Sequence, residues 1–151
     1  MEVYTLEKTN AKVNAIIEKA VAYIRENADN MLSYEVEVYI QKALQEAGCE
    51  LLAGYFNQIA SKDYGTKITT CDGDEMQRHN NVTVDFYSIF GKIKMSQQMY
   101  RKTGIKRISP HAADANVPDM VYSYRLQEFM GQLGVNTPFK KSSENIFNFF
   151  N

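Results

Sequence analysis

The spacing of the apolar residues changes at Gly65, and this change constrains the fold more than any other feature of the sequence. Before Gly65, apolar residues recur every three to four positions, which is the repeat of an amphipathic helix. After Gly65, β-branched and aromatic residues alternate with polar ones, which is typical of strands. The sequence therefore predicts an α+β fold, in which a helical region precedes a sheet region.

The helical region, residues 1–64, contains two long amphipathic segments. They cover residues 5–27, with apolar positions at Val13, Ile16, Ile17, Ala20, Val21 and Ile24, and residues 33–61, with Val36, Ile40, Leu44, Ala47, Leu51, Leu52, Tyr55 and Ile59. We predict that Ser33 caps the second helix and that Gly48 and Gly54 weaken it, as candidate positions of a break. Such helices pack on each other or on a second subunit. The region is therefore predicted to be a long helical hairpin, and it is interpreted either as a plain intrachain hairpin or as an interaction or homodimerisation arm.

The central region, residues 65–118, is predicted to form a β-hairpin. Its strands are "VTVDFYSIF" and "KIKMSQQMY", with Gly91 at the reversal, and a short β-branched run, "TKITTC", precedes them. The strand period puts Lys92, Lys94 and Ser96 on one face and Ile93, Met95 and Gln97 on the other. After Gly104, Pro110 and Pro118 predict an irregular segment, because proline has no N–H to donate.

The last region, residues 119–151, is predicted to be helical again. Ser123 caps a first helix that Gly134 ends, and a second helix follows over residues 138–150. Two short helices joined by a tight turn resemble a helix-turn-helix unit, whose second helix lies in the DNA major groove. The residues of that helix predicted to meet phosphates or base edges are Lys140, Lys141, Ser143 and Asn145.

Charge is divided unevenly along the chain, although the net charge is only -1. Residues 1–85 hold 14 acids and 8 bases, whereas residues 86–151 hold 4 acids and 9 bases. Between Phe86 and Ala113 there are six bases and no acid: Lys92, Lys94, Arg101, Lys102, Lys106 and Arg107. This stretch predicts contact with the phosphates of nucleic acid, and the alternative is a solvated basic face that complements the acidic half. Four interleaved tyrosines are candidates to hydrogen-bond phosphate or to stack on exposed bases, and the alternative is that they are partly buried with their hydroxyls at the surface: Tyr87, Tyr100, Tyr122 and Tyr124.

No constellation of residues predicts catalysis or a cofactor. His79 and His111 are isolated in the sequence and are expected at the surface. The acidic cluster of Asp72, Asp74 and Glu75 does not have the spacing of a calcium loop and is expected to be a solvated turn.

The two cysteines, Cys49 and Cys71, are too few for a tetrahedral thiolate zinc site or a disulfide framework. Cys71 with Asp74 and His79 is only a weak candidate for a mixed zinc site. We therefore expect no bound metal and two free thiols.

No apolar run approaches the length of a membrane span, and the first residues lack a signal pattern. These features predict a cytoplasmic protein.

From residue 33 onward, the order of these features resembles a known family. The matching segments are "ELLAGYFNQI" (50–59), "TCDGDEMQRH" (70–79), "YSIFGKIKMSQQMYRK" (87–102) and "NVPDMVYSYRLQEFMGQLGVNTPFKKSSENIFNFF" (116–150). The chain resembles the N-terminal region of bacterial insertion-sequence transposases of the RNase H-like (DDE) superfamily, of the Kra type. The resemblance implies recognition of double-stranded DNA at the ends of a mobile element and assembly of transposase subunits.

The chain departs from that family in two ways. In the family, two Cys-x-x-Cys pairs make the hairpin a zinc ribbon, whereas here the first pair reads Cys71 and Asp74 and the second falls at Lys102-Thr103-Gly104. The resemblance therefore implies a zinc-ribbon-like hairpin without metal, held by packing of Val82, Val84, Phe86, Ile93 and Met95. The catalytic domain of the family would follow the region where this chain stops, so its chemistry is not carried over.

The sequence thus predicts a non-catalytic, homo-oligomeric module that binds double-stranded DNA. The alternative is a protein-interaction module, an adaptor or an inhibitor, whose basic face docks on an acidic protein surface. An enzyme is the third hypothesis, and a tightly bound divalent metal would be the observation that favours it.

Overall fold

The fold is α+β, as the change of period at Gly65 predicts, and the computed structural model describes residues 6–136. The elements are α1 (Leu6–Asn27), a 3-10 turn (Ala28–Asn30), α2 (Ser33–Ala60), β1 (Lys67–Thr69), β2 (Glu75–Ser88), β3 (Gly91–Arg101), α3 (Pro110–Asp114) and α4 (Tyr124–Asn136). The three strands form one antiparallel sheet in the order β1-β2-β3. Helix α2 packs across this sheet, and α1 packs on α2.

The two long helices form the predicted hairpin within one chain. Lys12 of α1 pairs with Glu50 of α2 at 3.0 Å, and the ring of Tyr23 stacks on that of Tyr39 with centroids 4.2 Å apart. These contacts require antiparallel helices, because residues early in α1 meet residues late in α2. The helical hairpin is therefore confirmed.

Helix α2 is continuous through both of its glycines, so the expected break is wrong. Both glycines are buried at close approaches. A Cβ at Gly54 would overlap the side chain of Thr9, and a Cβ at Gly48 would overlap the ring of Phe90. Glycine at these positions lets α1 and the hairpin turn approach the helix, and that packing outweighs the low helix propensity of glycine.

The start of α2 also differs from the prediction. Ser33 is the first helical residue, and Leu32, in an extended conformation, occupies the N-cap position. The Leu32 N–H donates to the carboxylate of Glu35 at 2.8 Å. The N–H groups of Glu35 and Val36, which a Ser33 cap would satisfy, donate instead to the Leu32 carbonyl at 2.9 and 3.1 Å.

The β-hairpin is confirmed. Ser88 pairs with Gly91, so the reversal is the two-residue turn between them, and Gly91 has a φ of 131°, which favours glycine. Lys92 and Lys94 are exposed while Ile93 and Met95 are buried, which confirms the predicted faces.

The core lies between the buried face of the hairpin and α2. It consists of Phe56, Phe86, Ile93 and Met95, with Val84 partly buried against them. The rings of Phe56 and Phe86 meet edge to face with centroids 5.3 Å apart. Four of the five predicted apolar residues therefore hold the hairpin to the helix, whereas Val82 is partly buried and lies outside this cluster.

The segment after Gly104 is less irregular than predicted, because Pro110 begins helix α3. The missing N–H of proline costs nothing at the first helical position. Ser109 caps this helix, and its Oγ accepts from the Ala112 N–H at 3.3 Å.

His111, expected at the surface, is only 4% exposed. Its Nδ1 accepts from the Gln98 N–H at 3.3 Å, so its Nε2 carries the proton and donates to the Lys62 carbonyl at 2.9 Å. The ring therefore ties α3 to β3 and to the end of α2. His79, by contrast, is exposed as predicted.

Replacing His111 with leucine should lower the free energy of unfolding by about 2 kcal/mol, because a buried N–H and a carbonyl lose their partner. Urea denaturation followed by circular dichroism measures this loss. The matched control is His79→Leu, which should change stability by no more than about 0.5 kcal/mol. Equal effects of the two substitutions would contradict the structural role of His111.

Helix α4 begins as predicted, since the Ser123 Oγ accepts from the Leu126 N–H at 3.1 Å. Gly134 does not end it, because α4 continues to Asn136. A glycine lowers helix propensity by about 1 kcal/mol without forbidding helical dihedral angles. The helix predicted over 138–150, and with it the helix-turn-helix, lies outside the described residues.

Candidate functional site

Three of the six predicted phosphate-binding cations within residues 6–136 already have acidic partners. Three ion pairs involve them: Lys92 with Asp85 at 2.8 Å, Lys102 with Asp74 at 2.8 Å, and Lys106 with Asp119 at 3.1 Å. The hydrogen bond and charge of Asp85 raise the pKa of Lys92. The stretch from Phe86 to Ala113 contains no acidic residue, but the fold brings acidic residues from outside it next to three of its lysines.

The other three described cations, Lys94, Arg101 and Arg107, are exposed. None of them forms an ion pair within residues 6–136. The ion pairs of their neighbours lie in solvent, where such pairs contribute only about 0–1 kcal/mol. Those neighbours can therefore exchange a carboxylate for a phosphate at little cost. The remaining predicted contacts lie outside the described residues: Lys140, Lys141, Ser143 and Asn145.

The tyrosines divide into two groups. Tyr100 is fully buried, and its hydroxyl donates to the Gly65 carbonyl at 2.6 Å. Burial raises the pKa of Tyr100. A side chain held in this way cannot stack on a nucleobase, so that expectation is wrong. Tyr122 and Tyr124 are exposed, and the ring of Tyr122 lies 5.7 Å from that of Tyr87.

Two carboxylates of the acidic cluster at residues 72–75 form ion pairs with lysines. Asp74 pairs with Lys102, and Glu75 pairs with Lys67 at 2.6 Å. Among residues 6–136, no three histidine, cysteine, aspartate or glutamate side chains are grouped so that they could hold a metal ion.

The thiol of Cys49 has a structural contact. It donates to the carbonyl of Phe90 at 3.1 Å and so fixes the hairpin turn on α2. Burial, and to a lesser degree the carboxylates of Glu50 and Glu46, raise the pKa of Cys49. The thiol is therefore protonated at neutral pH, which is the form that this hydrogen bond needs. Cys71 is exposed and also free.

Helix α2 leaves a stripe of apolar side chains exposed. It buries Ala47 and Gly54 on one side and Phe56 on another. Because a helix turns about 100° per residue, the intervening face carries a single stripe. The exposed members are Ile40, Leu44, Leu51 and Tyr55, with exposures of 41%, 56%, 53% and 45%.

Helix α1 widens this stripe. The Lys12–Glu50 ion pair marks one side of the α1–α2 interface. Ile17 and Val21 project from the other side of α1, about 140–180° around the helix from Lys12. The antiparallel pairing places them at the level of Leu44, and both are exposed.

The hairpin turn completes the surface. Phe90 lies over Gly48, between the two halves of the stripe, and is itself partly exposed. A groove of about 370 Å³ runs between the turn and α2, lined in part by Ile40, Leu44 and Ile89. We call the following seven residues the helical apolar surface: Ile17, Val21, Ile40, Leu44, Leu51, Tyr55 and Phe90.

The sequence identified six of these seven residues as apolar positions but not as an exposed surface. One available signal was the breadth of the apolar pattern on α2, where Leu44 and Leu51 lie far around the helix from Phe56. A single packing partner does not cover so wide a face. The contribution of Phe90 depends on the fold and has no signal in the sequence.

No family model, curated protein or solved structure matches this chain. The relation to transposase N-terminal regions stays a prediction from the sequence motifs. None of the helices within residues 6–136 is both long and apolar enough to cross a membrane.

Proposed function

We propose that this protein is a self-association module and that its helical apolar surface pairs with the same surface of a second copy. The observation that carries the proposal is the continuity of that surface over α1, α2 and the hairpin turn. Large contiguous apolar patches on soluble proteins mark sites of interaction.

The extent of the surface suits a dimer. Its seven side chains are 38–56% exposed. Together they present on the order of 600 Å², against about 800 Å² per partner in a standard interface. A rim of polar residues around the apolar surface would supply the rest of the buried area of each partner.

The rim favours a second copy over an acidic protein. The exposed polar residues beside the stripe include Asn10 and Asn14 on α1 and Gln41 and Gln58 on α2. These amides are uncharged and can hydrogen-bond to one another across two identical rims. The charged residue that lines the groove is Glu37, which is acidic. An acidic partner would find little positive charge here to complement it.

Sedimentation equilibrium of the unmodified chain tests the proposal. The apparent mass should rise from one chain to two as protein concentration increases. A mass of one chain at all concentrations up to the millimolar range would overturn it.

A second candidate function is binding of double-stranded DNA by the cations of the sheet region. The observation that favours it is the exposure of Lys94, Arg101 and Arg107 without ion-pair partners in the described part of the chain. Cations without an ion-pair partner can bind phosphates without first breaking an ion pair with a carboxylate. This function is compatible with self-association, because the helical apolar surface does not include these residues.

Binding of a fluorescent DNA duplex should weaken as salt rises, with a log–log slope of about -3 if three phosphates are neutralised. Lys94→Glu with Arg107→Glu should abolish it, because both phosphate contacts become repulsive. The matched control is Lys19→Glu with Lys42→Glu, which makes the same change in net charge on exposed helical positions. Fluorescence anisotropy measures the affinity. Equal loss in the two double variants, or no binding at low salt, would contradict DNA binding through these residues.

A further inference from the structure

Strand β2 has an open edge in its middle. The strand is 14 residues long, and β1 pairs with only its first three residues, Glu75 to Gln77. At the other end of the same edge, Tyr87 pairs with Tyr122 in a short parallel bridge. Between Arg78, whose N–H donates to the Thr66 carbonyl, and Tyr87, no strand within residues 6–136 pairs with this edge.

The open edge presents unused backbone groups. The Tyr87 N–H donates to the Val121 carbonyl, and the Tyr87 carbonyl accepts from the Ser123 N–H, both at 2.8 Å. These bonds show that Tyr87 directs its backbone groups away from β3. Because backbone direction alternates along a strand, Asn81, Thr83 and Asp85 direct theirs the same way. Their three N–H and three carbonyl groups form no hydrogen bond within residues 6–136.

A cavity of about 410 Å³ lies next to this edge. Its walls include Val84, Phe86, Met95 and Met99 of the sheet, together with the segment from Lys106 to Val121 that crosses to the edge. Met120 and Val121, at the side of the open edge, are 61% and 46% exposed. A side chain of an added strand would therefore find apolar neighbours.

We propose that this open edge binds a short extended peptide segment as a fourth strand. The six backbone groups would supply the affinity, and the cavity would take an apolar side chain of the peptide. This is the β-augmentation mode, in which backbone bonds hold the peptide and pockets select alternate side chains. The site is separate from the helical apolar surface, so the inference does not depend on self-association.

The dimensions of the edge select a short peptide over the β2 strand of a second copy. A fourth strand would lie beside β2, in the gap between β1 at one end of the edge and Val121–Ser123 at the other. A second β2, 14 residues long, would collide with both. A segment of about six residues, the usual strand length, fits between them.

The charges at the cavity select an acidic residue in the peptide. Arg107 lines the cavity and has no ion-pair partner within residues 6–136. Lys106, also in the wall, pairs with Asp119, which is 91% exposed. On the edge, Asp85 is neutralised by Lys92. A peptide with one carboxylate beside its apolar residue thus meets net positive charge.

The probe is a pool of capped hexapeptides with valine, isoleucine or leucine at alternate positions, threonine between them and one glutamate at the end. Amide hydrogen exchange of the full chain, read by NMR, reports on Asn81, Thr83 and Asp85. We expect at least tenfold slower exchange of these three amides with the pool. A pool with lysine in place of glutamate should bind at least tenfold more weakly.

Two matched controls separate edge binding from other contacts. Thr83→Pro removes one donor of the open edge and no bond to β3, so it should reduce affinity at least tenfold, whereas Thr83→Val should not. On the peptide, N-methylation of the amides that face β2 should abolish binding, whereas methylation of the alternate amides should not. This second comparison needs no protein variant, so it holds even if Thr83→Pro fails to fold.

Three outcomes would overturn the inference. The first is unchanged exchange at these amides with millimolar peptide. The second is equal binding by the two N-methylated peptides. The third is protection that grows with protein concentration in the absence of peptide, which would assign the edge to a second copy.

Discussion

Replacing Leu44 and Leu51 together with glutamate should convert the proposed dimer to a monomer. Each side chain lies in the stripe on α2 and is more than half exposed in the single chain. Four carboxylates would then be buried without partners in the dimer, at several kcal/mol each before relaxation. Since about 1.4 kcal/mol is a tenfold change, the dissociation constant should rise at least about 1,000-fold.

Sedimentation velocity of both forms measures this change, and circular dichroism should show an intact fold because neither leucine is buried in the monomer. Lys42→Glu is the matched control. It makes the same change in net charge at an exposed position about 160° around α2 from Leu44. If Lys42→Glu dissociates the dimer equally, total charge and not the helical apolar surface controls association.

Phe86→Ala should lower the free energy of unfolding by about 3–5 kcal/mol, the usual cost of truncating a buried phenylalanine. Phe86 is 4% exposed and meets Phe56 of α2 edge to face. Its removal leaves a cavity where the helix and the sheet join, and both elements are too constrained to close it. Urea denaturation followed by circular dichroism gives the value.

Tyr34→Ala is the control for the loss of an aromatic ring. Tyr34 is 71% exposed, in the first turn of α2, and its removal should change stability by no more than about 0.5 kcal/mol. A small effect of Phe86→Ala, equal to that of the control, would show that the core does not lie between α2 and the hairpin.

The elements that the sequence predicted well are those with a long, regular period. Residues 5–27 and 33–61 were predicted as helices and are helical over Leu6–Asn27 and Ser33–Ala60. The hairpin followed from the alternation around Ile93 and Met95. In each case, the apolar period reflects burial against one partner, which is information that the sequence itself contains.

The errors lie at residues whose conformation depends on their tertiary neighbours. Gly48 and Gly54 look like helix breakers, but they are positions where Phe90 and Thr9 approach the helix. His111 is isolated in the sequence, but Gln98 and Lys62 come to it in the fold. No local rule contains these contacts, since the partners are 13 or more residues away.

The candidate sites were harder to predict for the same reason. A count of charges along the chain could not show that Lys92 lies against Asp85, or that Lys102 lies against Asp74. Nor could it show that Phe90 lies over Gly48, between the two halves of the apolar stripe on α2. The open edge of β2 depends on where β1 ends and where Tyr122 returns, which only the topology defines.

Isotope-filtered NMR on a mixture of labelled and unlabelled chains tests the proposed self-association most directly, because it locates the contact between copies. We predict interchain nuclear Overhauser effects from the methyl groups of Leu44 and Leu51. Interchain effects confined to the sheet region, or none at concentrations where two chains sediment together, would contradict association through the helical apolar surface.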